Sequence, residues 1–486
     1  MGRRAVRGAV VTVSAQGLKM VIQFLSVVIL ARLLTPQDYG LVAMVMAVIG
    51  VADIFRDFGL SSSAIQAPTL SRDEQVNLFW INTLLGLTLA VIAVASAPLV
   101  ALLYQHPELR VITMALAVNF LINGMSTQYR ADLNRRLLFR RLALADVLGP
   151  ACGLALATVL ALAGVGFWAL VAQQVMQATV VLVVLGLGAR WLPGRYRRGV
   201  PVRRFLSFGV RLVGSQLIAY IGSNIDTVML GLRSTAGALG VYNRTYQLVM
   251  TPVGQIRGPL NTVAIPVLSR MQDQDERFQS TVARGQVAMG YTLVAGLAVM
   301  AGAAAPLVSV VLGEAWLQAI PVLRLLAIGA GLQTLAYVGY WVYVTKGLVD
   351  HLFHYTFIST GIRVVMVVIG SGFGLVGVAA AMAVAPAVAW PLSIWWLSRR
   401  AAIPVRRLWA GGVRVLLFGA VVGVAAHTGV VLVARLPWSW AGGPWPQLVL
   451  ALLCATLTFV TAATLVRPFR TDVREVLALV RIGLRR

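Results

Sequence analysis

The stretch LARLLTPQDYGLVAMVMAVIGVADIFRDFGLSSSAIQ, Leu30 to Gln66, decides the fold. It reads as the end of one apolar helix, a tight turn and a whole second helix. The run that starts near Val10 stops at Arg32, the Thr35-Pro36 pair turns the chain, and Gly40 opens a new run that lasts until Gln66. Runs of this length cross a bilayer core of about 30 Å at about 1.5 Å per residue. Asp53, Arg56 and Asp57 sit inside the second run. Charge within a span is costly unless it is paired or faces a cavity, so these three are candidates for function.

Outward from this stretch, composition agrees. Of 486 residues 59% are hydrophobic and only 12% charged, with a mean hydropathy of +0.83. Soluble domains carry about 25% charged residues, so the chain is expected to be a polytopic membrane protein. The net charge of +25 would suggest nucleic acid on a soluble face, but Lys19 and Lys346 are the only lysines and most arginines fall in short loops between apolar runs. That placement argues for membrane orientation and against nucleic acid. Cys152 and Cys454 lie within apolar runs and make neither a metal spacing nor a disulfide framework.

Further apolar runs begin near Val76, Leu109, Leu142, Phe167, Phe205, Val241, Gly285, Leu317, Leu352, Leu375, Gly411 and Pro446, giving about fourteen transmembrane helices in an all-α protein. Loops of one parity hold Arg135, Arg136, Arg195, Arg197, Arg399 and Arg400 among many others, while the other parity holds only Arg32, Arg110, Arg233, Arg244 and Arg435. The positive-inside rule then puts both termini in the cytoplasm. Tyr39, Tyr104, Tyr242, Trp168, Trp316, Trp438, Trp440 and Trp445 fall near outer span ends and read as an aromatic belt.

An internal repeat runs at an offset of 200 residues: Val13 matches Val213, Gln16 Gln216, Val28 Val228, Leu30 Leu230, Thr35 Thr235 and Gly40 Gly240. An even number of spans separates the copies, so they share one orientation. The expected division is an N-terminal six-helix lobe with its basic loop (1–200), a second six-helix lobe (201–400), and two additional helices with an interfacial amphipathic tail (401–486), with the site between the lobes.

The chemistry candidates are ionisable groups in spans. Lys19, Arg56, Arg211, Arg257 and Arg363 would form a cationic site for an anionic headgroup, since arginine donates paired hydrogen bonds to phosphate and keeps its charge in a dry site; snorkelling or structural pairing is the alternative. Arg324 is a further span cation. Asn224 and Asp226 in GSNIDTVMLG, with Asp53 and Asp57, are candidates for coupling-ion binding or gating. Asp146 is expected to pair with Arg140 or Arg141. Pro252, Pro259 and Pro266, seven residues apart, would break one face of the eighth span and expose carbonyls to a cavity.

Two segments, LARLLTPQDYGLVAM (30–44) and DFGLSSSAIQ (57–66), resemble the N-terminal signature of polysaccharide exporters and oligosaccharide flippases, the Wzx-like branch of the MOP superfamily, which also holds the MATE exporters and MurJ. The resemblance implies two pseudo-symmetric lobes plus two C-terminal helices in the bacterial cytoplasmic membrane. It implies a flippase that moves an undecaprenyl-diphosphate-linked oligosaccharide to the outer leaflet by alternating access, serving lipopolysaccharide, O-antigen or exopolysaccharide assembly. The seventh-span Asn224-x-Asp226 looks like a motif of that family. No cofactor is implied beyond a coupling H⁺ or Na⁺; the partners are the lipid-linked oligosaccharide, membrane lipids and other polysaccharide assembly proteins.

Two alternatives stand beside it. A MATE-type multidrug exporter should have an acid-rich cavity, and the excess of span cations disfavours it. A glycan polymerase or acyltransferase should have a long outer loop or a His/acid constellation. The four histidines, His106, His351, His354 and His427, sit at no metal-ligand spacing, and no nucleotide loop is present. The chain is therefore expected not to be an enzyme.

Overall fold

A computed structural model describes residues 2–57, 70–198, 220, 222–435, 443–466 and 469–472, with side chains of residues 2–10, 13, 56 and 57 set aside. Every regular element among them is helical. In chain order these are α1 (Gly2–Leu33), α2 (Pro36–Asp57), α3 (Arg72–Tyr104), α4 (Glu108–Arg135), α5 (Phe139–Leu162), α6 (Trp168–Ala189) and α7 (222–233). They continue with α8 (Ala236–Ser269), α9 (Asp275–Gly302), the short α10 (Ala304–Val311), α11 (Ala319–Thr345), α12 (Val349–Ser371), α13 (Gly374–Ser398), α14 (Val405–Ala434) and α15 (Pro444–Leu465).

Twelve of these helices are long and apolar enough to cross a membrane among the described residues: α1 to α6, α9 and α11 to α15. They answer twelve of the fourteen runs expected from sequence. Most of the seventh run lies outside the described residues, and α8 carries Arg244, Gln247, Gln255, Arg257 and Asn261, which lower its apolarity. Large side chains such as Leu102 (75%) and Leu162 (69%) are exposed. Such a surface would drive aggregation in water, and hydrocarbon is its natural solvent.

The deciding turn forms as read. Thr35 and Asp38 cap α2 reciprocally: the Asp38 amide donates to Thr35 Oγ1 (3.3 Å) and the Thr35 amide to Asp38 Oδ2 (2.9 Å). Pro36 occupies the first helical position, where its missing N–H costs nothing. The repeat reproduces the cap, because the Ala238 amide donates to Thr235 Oγ1 (3.2 Å) at the start of α8. The two glycines of the repeat meet. A Cβ on Gly40 would collide with the Ala236 carbonyl oxygen, and one on Gly240 with that of Pro36.

The chain forms two compact units, residues 1–240 and 241–486. These units are drawn by packing, whereas the expected divisions at 200 and 400 are drawn by the repeat. In the first unit the hairpins α3–α4 and α5–α6 pair most extensively, with α1 on α5 and α4 on α6. Small residues allow the backbones to approach: a Cβ on Gly124 would lie 2.6 Å from the Asn82 carbonyl, and one on Gly153 2.8 Å from that of Gln173. In the second unit α11 packs on α13, α9 on α11 and α14, α12 on α13, and α14 on α15.

Three aromatic residues depart from the expected belt. Trp316, Tyr242 and Tyr104 are buried, whereas Trp168 and Trp445 are exposed. Nearness to a span end does not fix which way a ring points: Trp316 sits on a one-turn 3-10 helix just before α11 and is fully packed. Trp438 and Trp440 lie outside the described residues.

Candidate functional site

The first unit encloses a cavity of about 520 Å³ built from α1, α2, α4, α5 and α6. Lys19 reaches it from α1 and Asp53 from α2; Asn119, Asn123, Arg130 and Asn134 line it from α4, Asp146 from α5, and Gln174 and Gln177 from α6. The α4 residues recur at steps of four, seven and four, which places them on one helix face. Asp146 pairs with Arg130 (2.8 Å), not with Arg140 or Arg141. The reason is geometric: residues five or six apart on a helix do not face one another, and Arg141 instead donates to the Gly188 carbonyl. Among the described residues two cations and two carboxylates line the cavity, so their formal charges cancel.

Tyr220 seats the chain before α7 against α2 beside this cavity. Its hydroxyl donates to the carbonyls of Met46 (3.3 Å) and Ala47 (3.2 Å), and Gly50 leaves room for the ring edge. Asp226 is buried on α7, where its Oδ1 accepts from the Thr227 amide (2.9 Å). Asn224 is half-buried and donates to the Tyr220 carbonyl (3.0 Å). Residues two apart on a helix point about 200° apart, so these two side chains do not converge on one ion.

The second unit holds a different arrangement around Arg257 of α8. Its guanidinium donates to Thr334 Oγ1 (3.1 Å) and lies 4.8 Å above the Tyr337 ring, both on α11. Asn261, one turn further along α8, donates to the Tyr337 hydroxyl (2.7 Å) and accepts from Trp341 Nε1 (2.7 Å). The hydroxyl and ring fix the position of Arg257 without cancelling its charge, and among the described residues no carboxylate pairs with it. Arg257 Nε is buried with no hydrogen-bond partner.

The remaining candidates are placed as follows. Arg363 is half-buried on α12, close enough to act on Tyr355. Pro252, Pro259 and Pro266 share an exposed face, yet α8 continues as one helix through all three. Each proline removes a single amide donor, and the neighbouring bonds hold the helix. Arg211 lies outside the described residues, as do the side chains of Arg56 and Asp57. Attention to charge passed over the amides of α4 and α6 and the partners Asn261, Thr334, Tyr337 and Trp341. The spacing of Asn119, Asn123 and Asn134 within an apolar span was the available signal.

The first unit thus holds a polar hollow and the second a fixed cation, within a bundle whose described elements are all helical. Solved structures share this helical fold. The lipid II flippase MurJ in an inward closed conformation superposes with a TM-score of 0.71 over 94% of this chain and 100% of that one at 12% identity. An inward-facing MATE multidrug resistance transporter of the MOP superfamily gives 0.58 over 83% and 99% at 15% identity.

The chain belongs to the polysaccharide biosynthesis protein family, whose sequence pattern matches residues 29–321. It is 26% identical over 380 residues to the lipopolysaccharide biosynthesis protein WzxC of Escherichia coli (strain K12), covering 76% of this chain and 75% of that protein. It is 28% identical over 311 residues to the teichuronic acid biosynthesis protein TuaB of Bacillus subtilis (strain 168), covering 63% of each. With the succinoglycan biosynthesis transport protein ExoT of Rhizobium meliloti (strain 1021) it shares 28% over 324 residues, 64% of this chain and 63% of the relative. The match thus spans less than two thirds of TuaB and ExoT.

Proposed function

We propose that this protein is a flippase of the bacterial cytoplasmic membrane, which carries an undecaprenyl-diphosphate-linked oligosaccharide from the cytoplasmic to the outer leaflet by alternating access. The observation that carries this reading is Arg257, a half-buried guanidinium on α8 held by a hydroxyl and an aromatic ring with no carboxylate among its described partners. A cation kept at this cost suits an anionic ligand, and a diphosphate is the anion that a lipid-linked glycan carries. Arg363 is proposed to add positive potential along the path, with Arg56 and Arg211 nearer the cytoplasm, whereas Lys19 stands among the balanced charges of the first unit's cavity. Both termini would lie in the cytoplasm, and lipid-linked oligosaccharide and membrane lipids would be the partners. No chemical step is assigned to any residue; H⁺ or Na⁺ would supply coupling.

The printed names of the relatives support the substrate class, since they describe biosynthesis of lipopolysaccharide, teichuronic acid and succinoglycan. A cation-coupled drug exporter would need an excess of acid in its cavity, and the first unit's cavity is charge-balanced. The test is leaflet-to-leaflet transfer of a fluorescent undecaprenyl-diphosphate oligosaccharide in liposomes. Transfer by the wild type and its loss in Arg257→Ala are expected. Absence of wild-type transfer, together with efflux of a cationic dye, would refute the reading.

A further inference from the structure

The cavity of the first unit has a chemistry that the anion site does not need. Five carboxamides line it: Asn119, Asn123 and Asn134 from α4, Gln174 and Gln177 from α6. Their side chains make no hydrogen bond to another described residue, and Asn119 Oδ1 is buried with no partner at all. In a membrane span an amide without a partner costs several kcal/mol by transfer estimates. Five such groups around one hollow are a concentration of unmet donors and acceptors. The hydroxyls of Ser126 and Thr127, also on this wall, spend their protons on the Asn123 carbonyl at 2.9 and 2.8 Å. The amides therefore dominate the free hydrogen-bonding capacity.

Charge narrows the ligand. Lys19 and Arg130 are balanced by Asp53 and Asp146. A phosphate would need an excess of cations here and a cationic drug an excess of acid. A neutral ligand rich in hydroxyls needs neither, because each carboxamide offers a donor and an acceptor to alternating hydroxyl groups. The volume of about 520 Å³ lies within the usual range of small-molecule sites.

Resting on the flippase reading above, we infer that this cavity is the carbohydrate subsite: the α4 and α6 amides bind the neutral glycan of the lipid-linked substrate, apart from the residues that bind its diphosphate. Selectivity for sugars is then set by Asn119, Asn123, Asn134, Gln174 and Gln177, whereas Arg257 is indifferent to which sugars are attached.

The test separates the two halves of the substrate. Purified full-length protein is loaded with a fluorescent undecaprenyl-diphosphate oligosaccharide prepared from the native membrane. The soluble glycan released from that lipid and inorganic pyrophosphate are then used as competing ligands. In Asn123→Leu/Gln174→Leu the glycan should compete about tenfold more weakly and pyrophosphate as in the wild type; Arg257→Ala should do the reverse. Gln177→Leu, at an exposed position on the cavity wall, gives the same comparison with little risk to folding. Equal weakening of both competitors, or no change in either, overturns the carbohydrate subsite. A wild type that binds no fluorescent lipid overturns the flippase reading and the subsite with it.

Discussion

The two polar regions of this molecule solve opposite problems. The cavity of the first unit gathers many groups whose charges cancel and whose amides have no hydrogen-bond partner among the described residues. The second unit holds in Arg257 a charge with no carboxylate partner among the described residues, and a hydroxyl and a ring keep it in place. Balanced charge with spare hydrogen bonds suits a neutral polar ligand; a positioned charge without a carboxylate partner suits an ion. Both features are costly in a bilayer, which is why they separate so clearly from the apolar helices around them.

The largest effect in breaking this comparison is expected at Arg257. Removing its guanidinium eliminates charge-assisted hydrogen bonds to the ligand of about 1.5–3 kcal/mol, so Arg257→Ala should slow liposome transfer at least about tenfold. Next comes charge balance in the first unit. Lys19→Met leaves the cavity one negative charge in excess and should cut transfer about tenfold. Adding Asp53→Asn should recover most of the loss, and an unrecovered double variant would instead make Asp53 a coupling-ion residue.

A smaller effect is expected at the support of Arg257. Tyr337→Phe keeps the ring under the guanidinium but deprives Asn261 Nδ2 of its acceptor, and should reduce transfer a few-fold, equivalent to about 1 kcal/mol. Tyr337→Leu, which removes the ring as well, should cost more than Tyr337→Phe. The smallest lies at Arg130–Asp146. Both partners are more than a third exposed, so a double-mutant cycle on thermal stability should give a coupling of about 0.2–1 kcal/mol. A coupling of several kcal/mol would mean that the pair is far drier in the membrane than its exposure indicates.

The parts of the fold legible in sequence were local. Helix positions followed from apolar run length, the turn before α2 from the Thr35-Pro36 pair, and the register of the repeat from identities such as Thr35 with Thr235. What escaped was whatever depends on a distant partner. Asp146 looked toward Arg140 and Arg141 because they are near in sequence, but α4 supplies its partner across the hairpin. Trp316 looked interfacial because of its place near a span end, but packing buried it. The α4 amides were visible and passed over, since neutral residues in a span attract less notice than arginines. Arg257 was found by its charge, while the groups that hold it, Thr334 and Tyr337, stand 77 and 80 positions further along the chain.

The crossing of Gly40 and Gly240 carries a historical consequence. Gly40 rests on the carbonyl of Ala236, and Gly240 rests on that of Pro36, its counterpart 200 residues earlier. A contact in which each position meets the equivalent of its partner's neighbour is the signature of an isologous interface, the kind formed by two identical subunits about a two-fold axis. Here both halves of that interface belong to one chain. The junction has the form of such a contact held within a single chain, and each glycine stands where any side chain would meet a carbonyl of the other copy of the repeat.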